Sequence, residues 1–502
     1  MIYFIYKDIT ALQSRKNHGS ATPISDLSMR KIAFLLAFVM VISTMLTACG
    51  KDEAESTDSA RESLSDTSTE ALLYTLDSLP ELDYEKRSFG IYIDKSGAQY
   101  LIAEEENGDL VNDAVFQRNL AIEDRYNLTL NMVEAEVNQP CAEIKNFIMS
   151  GDTTYNMYVN VQHNAMPQMI LDGCFVDWND LEYLDYTKPY WNSRIAKDIN
   201  FGGKVFTMAG DLNLMTYNST NCIMFNKNLF DDLGIDYPYQ DVYDMTWTAD
   251  KFIEIVKQGY KDLNGNTEVN YNADRFGFSG WGWEMNTAAY IGFGGKPVVS
   301  DENNLPALNL NNERTVKIID KIIEIFDNRN AFTCMDTWGI DKTAFSEGRL
   351  LMDDMFITNL VLNRDGDYEY GVVPYPMLDE EQGEYYSRAA NIAHLCYIPT
   401  TNTELYETGI ILEAMSIESY NNVRPTYYDV TLSLKEAKDD ETLDMVNIIL
   451  GSSTYMVEGF IGAGDIRTAI ENQTNTFASW YASNEATFKY TIQQMRDFYG
   501  RS

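Results

Sequence analysis

Between residues 89 and 161 the apolar pattern switches period four times, and this alternation constrains the fold more than any other feature. Phe89-Gly90-Ile91-Tyr92-Ile93-Asp94 has the length and composition of a strand. Val115, Leu120, Ile122 and Tyr126 then mark the apolar face of a helix. Leu128 to Met132 alternates as a second strand, Ile144, Phe147 and Ile148 mark another helix, and Tyr155 to Val161 reads as a third strand. Strands that take turns with helices predict α/β layers with much parallel sheet, because parallel neighbours need a crossover between them.

The pattern continues beyond this stretch. Ala249 to Tyr260 places Phe252, Ile253, Val256 and Tyr260 on one helical stripe. Val316, Ile319, Ile323 and Phe326 form another, behind Asn312 as an N-cap. Ala344-Phe345 leads through Gly348 into the strand candidate Leu350-Leu351-Met352, and Tyr370 to Val373 is a strand stopped by Pro374. A chain of 502 residues exceeds one compact core and predicts two or three domains.

The N-terminus reads as an address. Met29-Arg30-Lys31 is a short basic stretch, Ile32 to Met45 an almost wholly apolar run, and Leu46-Thr47-Ala48-Cys49 closes it. The run is short for a membrane span and has the anatomy of a signal peptide. Its end resembles a bacterial lipobox, which implies lipidation at Cys49. Residues 1–28 read as upstream sequence, with Met29 as the start of the signal. Residues 51–70 are polar, with Leu64 their only large apolar side chain, and predict a flexible acidic tether.

Composition narrows the partners. The formal charge of −38 repels phosphate backbones, so no nucleic acid is expected. The six cysteines (49, 141, 174, 222, 334 and 396) contain no C-x-x-C pair, and three histidines leave little for a zinc or iron site. Neither metal nor cofactor is expected. Asp262 to Thr267 has oxygen ligands at alternate positions, but Thr267 and Ala273 stand where a calcium loop needs Gly and Glu, so an Asn-Gly turn is predicted.

Several segments together carry a resemblance. They are Gly202-Gly203-Lys204-Val205-Phe206; Met224-Phe225-Asn226-Lys227-Asn228-Leu229-Phe230-Asp231-Asp232-Leu233-Gly234; Thr246-Trp247-Thr248; Ala344-Phe345-Ser346-Glu347-Gly348 through Met352; and Tyr370-Gly371-Val372-Val373-Pro374-Tyr375-Pro376. In this order, over roughly residues 85–500, they resemble the family 1 extracellular solute-binding proteins of ABC importers, of the maltose-binding-like type. The resemblance implies a type II periplasmic-binding-protein-like fold: two α/β lobes, hinge crossings and a ligand cleft between them. It places the crossings near Met208 to Asp211, Ala390 to Ile398 and residues 445–455. Lobe one is then 80–209 plus 396–445, and lobe two 210–395 plus 446–502, after a leader of 1–48 and a tether of 49–79. It further implies a monomer held by a lipid at the outer face of the cytoplasmic membrane. Such a protein captures a small solute, a sugar first of all, and passes it to the membrane subunits of a permease.

A sugar offers hydroxyls around its ring and C–H patches on its faces, so a site needs planar hydrogen-bonding groups and aromatic plates. Trp281 and Trp283, in Phe276-Gly277-Phe278-Ser279-Gly280-Trp281-Gly282-Trp283-Glu284, fall at the end of a strand where glycines let the backbone turn. Trp480 precedes Tyr481 near the C-terminus, where the resembling maltose-binding protein has a Trp-Tyr pair beside its site. Asp353 and Asp354 offer paired carboxylates, or else begin a helix. Asp211 lies by the first expected crossing. Asn160-Val161-Gln162-His163-Asn164 ends a strand with amides suited to hydroxyls, Asn160 and His163 being the named candidates. Asp94 and Lys95 follow the first strand. Core packing, caps and turns are the competing reading of each.

Enzyme signatures fail. Gly277-Phe278-Ser279-Gly280-Trp281 lacks the final Gly of a nucleophile elbow, and neither Lys204 nor Lys296 is followed by Ser or Thr as in a P-loop. A glycoside hydrolase needs two positioned carboxylates, and no pair stands out. That enzyme and a ligand-sensing surface receptor remain the alternatives to solute capture.

Overall fold

A computed structural model describes residues 74–162, 165–326, 330–333, 340–360, 368–428, 440–455, 466, 468–470 and 474–501. All belong to one compact unit, Leu72–Ser502. His163 and Cys49, with the leader and the tether as far as residue 73, lie outside the described residues.

In chain order the described strands are β1 (Ser88–Ile93), β2 (Thr129–Glu134), β3 (Met157–Val161), β4 (Asn221–Asn226), β5 (Phe276–Gly280), β6 (Val298–Ser300), β7 (Pro306–Leu308), β8 (Ala331–Thr333), β9 (Leu350–Phe356), β10 (Tyr370–Val373), β11 (Ser387–Arg388), β12 (His394–Tyr397) and β13 (Ser453–Thr454). One sheet runs β12-β3-β1-β2 and a second runs β10-β4-β9-β5-β8, with β11-β13 and β6-β7 as two-stranded ladders. The α/β expectation holds, and each main sheet mixes parallel pairs with antiparallel ones at β12 and β4.

The register fixes where the sheets face the chain crossing between them. Three passing segments lie side by side: Thr220 bridges Ala389, Ala390 N–H donates to Ser219, and Ala389 N–H donates to Thr454. β12 starts just beyond this point and pairs antiparallel to β3, with His394 opposite Val161. So β3 ends at the crossing, and its parallel neighbour β1 ends there too. β4 starts at Asn221 opposite Phe356, so β9 and its parallel neighbour β5 also end at the crossing. Both sheets therefore turn carboxyl ends toward the same passage, the position where open α/β sheets bind ligands.

The crossing residues can be compared with the expected ones. Met208 still exchanges backbone hydrogen bonds with Cys396 beside the first sheet, so the first passage runs from there to Asn221 and the expected Met208 to Asp211 lies at its beginning. Of the helices used below, α1 (Leu110–Tyr126), α2 (Ala249–Gly259), α3 (Gly282–Gly292), α4 (Glu313–Ile325), α5 (Leu405–Glu418), α6 (Asp440–Gly451) and α7 (Phe477–Tyr499), α5 packs on α1 and α6 on β10. Residues 440–445, expected in lobe one, thus stand against the second sheet.

Two helical stripes are rotated from expectation. α1 buries Val111, Val115, Arg118, Ile122 and Tyr126, spaced by three or four, while Leu120 is 39% exposed on the other side. α4, capped by Asn312 through a 2.8 Å bond from Thr315 N–H, buries Ile318, Ile319, Ile322 and Ile325, and leaves Val316 39% exposed. Asp353 and Asp354 lie within β9, which excludes the helix-start reading. The glycines of β5 also act differently from expectation. A Cβ on Gly277 would stand 1.9 Å from the Val256 carbonyl oxygen, so this glycine lets α2 lie flush on the strand. Asp262 accepts from Gly265 and Thr267 N–H at 2.6 and 2.8 Å, the predicted turn.

Candidate functional site

At the first carboxyl edge β1 runs into Asp94, which is wholly buried. Its Oδ1 accepts from Ser96 N–H at 2.8 Å, capping the turn Lys95–Tyr100, and lies 3.0 Å from His394 Nε2. The Ser96 hydroxyl and Gln139 N–H donate to the same carboxylate. Burial pushes its pKa up, but these bonds, His394 foremost, outweigh it and hold the carboxyl below its ordinary value. Lys95, beside it, is exposed, with Glu134 at 3.9 Å. From the end of β3, buried Gln162 donates to the Ala389 and Ala390 carbonyls at 2.7 and 2.8 Å, clamping the sheet to the second passage. Asn160 lies one turn of the pleat deeper, wholly buried, its amide 3.3 Å from Cys141 Sγ.

The second edge carries the other candidates. β5 ends at Gly280, and half-buried Trp281 follows as the N-cap residue of α3, its carbonyl accepting from Met285 N–H at 2.8 Å. Trp283 stands in the first turn of α3; its side chain is outside the described residues. In that same turn Glu284 pairs with Arg388, both buried. Arg388 also reaches Asn391 Oδ1 at 3.2 Å and Asn221 Oδ1 at 3.5 Å. One cation therefore ties the turn that follows Trp281 to two crossing segments.

Next to this pair, Asp354 accepts from Tyr375 Oη at 2.6 Å and Asn221 Nδ2 at 3.1 Å. Burial pushes its pKa up to about 7; Tyr375 and Asn221 offset part of this, while the Glu284 charge adds to it. Asp353 is wholly buried, and neither carboxylate oxygen has a hydrogen-bond partner. Burial first, then the Asp341 and Asp354 charges, push it well above the carboxylate range.

Two candidates stand apart from these edges. Asp211 is buried in the first passage, accepting from Tyr217 Oη at 2.9 Å and Arg424 Nη1 at 3.2 Å, and burial raises its pKa to about 6. Trp480 packs within α7 against Phe477 and Phe488, centroids 5.8 and 5.5 Å away, and no described contact joins it to Trp281. The structure thus gathers Asp94, Lys95 and Gln162 at one edge, and Trp281, Asp353 and Asp354 at the other. Sequence reasoning missed His394, Glu284, Arg388, Asn221 and Tyr375. Glu284 alone had a visible signal, beside Trp281 and Trp283; the rest meet only through register.

No family model matches this chain, and no curated protein matches it. Solved structures do. A galacto-N-biose/lacto-N-biose I-binding protein of an ABC transporter from Bifidobacterium longum, in complex with lacto-N-biose, is 13% identical at a TM-score of 0.55, covering 83% of this chain and 98% of that one. UspC of M. tuberculosis is 10% identical at a TM-score of 0.54, covering 80% and 99%. An ABC substrate-binding protein from Listeria monocytogenes, in complex with cycloalternan, is 14% identical at a TM-score of 0.50, covering 83% and 100%. At these identities the likeness establishes the fold: type II, periplasmic-binding-protein-like, as the sequence motifs implied.

Proposed function

We propose that this chain captures a carbohydrate between its two carboxyl edges and delivers it to the membrane subunits of an ABC importer, without catalysing a reaction. The observation that carries this reading is the meeting of both edges at one crossing, with Trp281 at the end of β5. Two solved structures of the same fold hold lacto-N-biose and cycloalternan. The carboxylates nearest Trp281 are engaged, Glu284 by Arg388 and Asp354 by Tyr375 and Asn221, which favours holding hydroxyls over acid–base work on a glycosidic bond.

A solute that touches both edges binds the closed arrangement better and shifts the population toward it. The lipid on Cys49 and the tether of residues 51–70 keep the protein, as a monomer, near its permease on the outer face of the membrane and raise its effective concentration there.

A thermal-shift screen against mono- and oligosaccharides, followed by calorimetry and product analysis, tests the proposal. Expected are a stabilising sugar, no cleavage product, and an affinity about tenfold weaker in Trp281→Ala, from loss of an aromatic plate. An unchanged affinity in that variant, or released product, overturns it. Fatty-acid labelling of wild type and its loss in Cys49→Ser test the anchor.

A further inference from the structure

A concave pocket with an empty volume of about 870 Å³, solvent at its mouth included, opens on the first half of the body, and it shares no residue with either carboxyl edge. Three stretches build it: residues 74–79 where the body begins, the loop 183–190, and α5 through Glu413 and Ile417. Three tyrosines line it, Tyr74, Tyr183 and Tyr190. Tyr74 meets Tyr190 and Tyr420 edge-on, with centroids 5.4 and 5.5 Å apart, and at the rim Tyr183 meets Tyr406 at 5.6 Å. Glu413 forms the floor. It is 3% exposed and accepts from Tyr190 Oη at 2.6 Å and Trp191 Nε1 at 2.7 Å. At the mouth Lys188 lies 3.4 Å from Asp185 and 5.7 Å over the Tyr74 ring.

This wall is set before any ligand arrives. Asn421 holds the Tyr74 backbone in both directions, accepting from its N–H at 3.3 Å and donating to its carbonyl at 2.7 Å. Thr187 donates twice to Asp185, at 3.0 Å from its N–H and 2.5 Å from its hydroxyl. Rigid aromatic and polar walls lower the ordering cost of binding.

The lining selects a ligand class. Lys188 is balanced by Asp185, and the buried Glu413 adds acid, so an anion gains no free cation here. A purely apolar guest strips water from Asp185 and Lys188 and returns nothing. A neutral polyol ring satisfies both demands, laying C–H faces on tyrosine and hydroxyls on Asp185, Lys188 and the Tyr183 phenol. We infer that this pocket is a second, weaker carbohydrate site, independent of the crossing, for one hexose-sized unit. A site at this place gives a longer glycan a second hold on the same protein and raises its local concentration there.

Calorimetric titration of the full chain with methyl α-D-glucoside, to tens of millimolar, tests the inference, with Trp281→Ala, Tyr183→Ala and Asp185→Asn in parallel. The last two change a rim side chain 40% exposed and a half-buried one, with the fold core untouched. The expected result is millimolar binding that survives Trp281→Ala and weakens about fivefold in Tyr183→Ala and in Asp185→Asn. The site is disproved by the absence of any heat in wild type, by loss of all binding in Trp281→Ala, or by indifference to both rim variants. Failure of the crossing site is read separately, from the response of the tighter sugar to Trp281→Ala.

Discussion

At the edge of the first sheet Asp94 accepts from Ser96 and Gln139 and lies against His394, whereas at the edge of the second sheet Asp353, buried as deeply, accepts from no one. Between these extremes stands Asp354, with two donors and a raised pKa. Burial pushes all three up; what differs is the set of bonds and charges opposing it, His394, Ser96 and Gln139 at Asp94, Tyr375 and Asn221 at Asp354, and the like charges of Asp341 and Asp354 adding to it at Asp353. At the first edge the carboxylate is satisfied, while His394 Nδ1 and Asn160 Oδ1 stay without partners. At the second, Asp353 has acceptor capacity left over, and the Arg388 cation ties the first turn of α3 to the crossing segments.

The comparison is broken hardest at that cation. Replacing Arg388 by Met removes the cation that faces buried Glu284 and the tie between α3 and the crossing segments. The expected cost is about 3–5 kcal/mol, read as a lower urea midpoint. Adding Glu284→Gln to Arg388→Met should restore most of it. If the single variant loses under about 1 kcal/mol, the pair is not what holds this edge.

Titration separates the two edges by sign. Asp354, with a pKa of about 7 in the folded chain against 3.8 when unfolded, binds more protons folded than unfolded across that window. Stability therefore falls as pH rises from about 4 to 7, by at most about 4 kcal/mol. Asp94 is shifted the other way, so its contribution is present above pH 3.8 and is lost as pH falls through its lower folded value. Thermal melts from pH 3 to 8 should show Asp354→Asn flattening the upper slope and Asp94→Asn flattening the acid limb. Asp353, also raised, keeps part of the upper slope in Asp354→Asn. A single variant that alters both limbs contradicts the separation.

Much of this contrast was out of reach of the sequence. Period and capping made β1, β3, β10, α2 and the Asn312 cap legible, since these depend on neighbours within one or two turns. Leu120 and Val316 misled because a large apolar side chain beside a stripe looks like part of it, and only packing shows which face is covered. Asp94 was found by its place after a strand, but its partner His394 lies 300 residues on and arrives by the antiparallel pairing of β12 with β3. Arg388 belongs to a two-residue strand with no local pattern at all. The place of Trp281 at a strand end was legible because an aromatic among glycines is conspicuous there; Trp480 has the same chemistry and stands in the aromatic cluster of its own helix.

The smallest expected effect sharpens the comparison most finely. Lys95 follows Asp94 in the chain, yet among the described residues its one ion-pair contact is Glu134 at 3.9 Å, with both side chains about half exposed. Such a pair contributes between zero and about 0.5 kcal/mol, so Lys95→Ala should leave the melting curve within error of wild type. Its ammonium lies by Glu134, at the carboxyl end of β2, on the edge that also carries Gln162. A bound sugar that accepts from Lys95 predicts an affinity loss of about threefold to tenfold on an unchanged fold. Full affinity in Lys95→Ala would instead make the first edge a rigid wall and leave recognition to the second, where Trp281 lies.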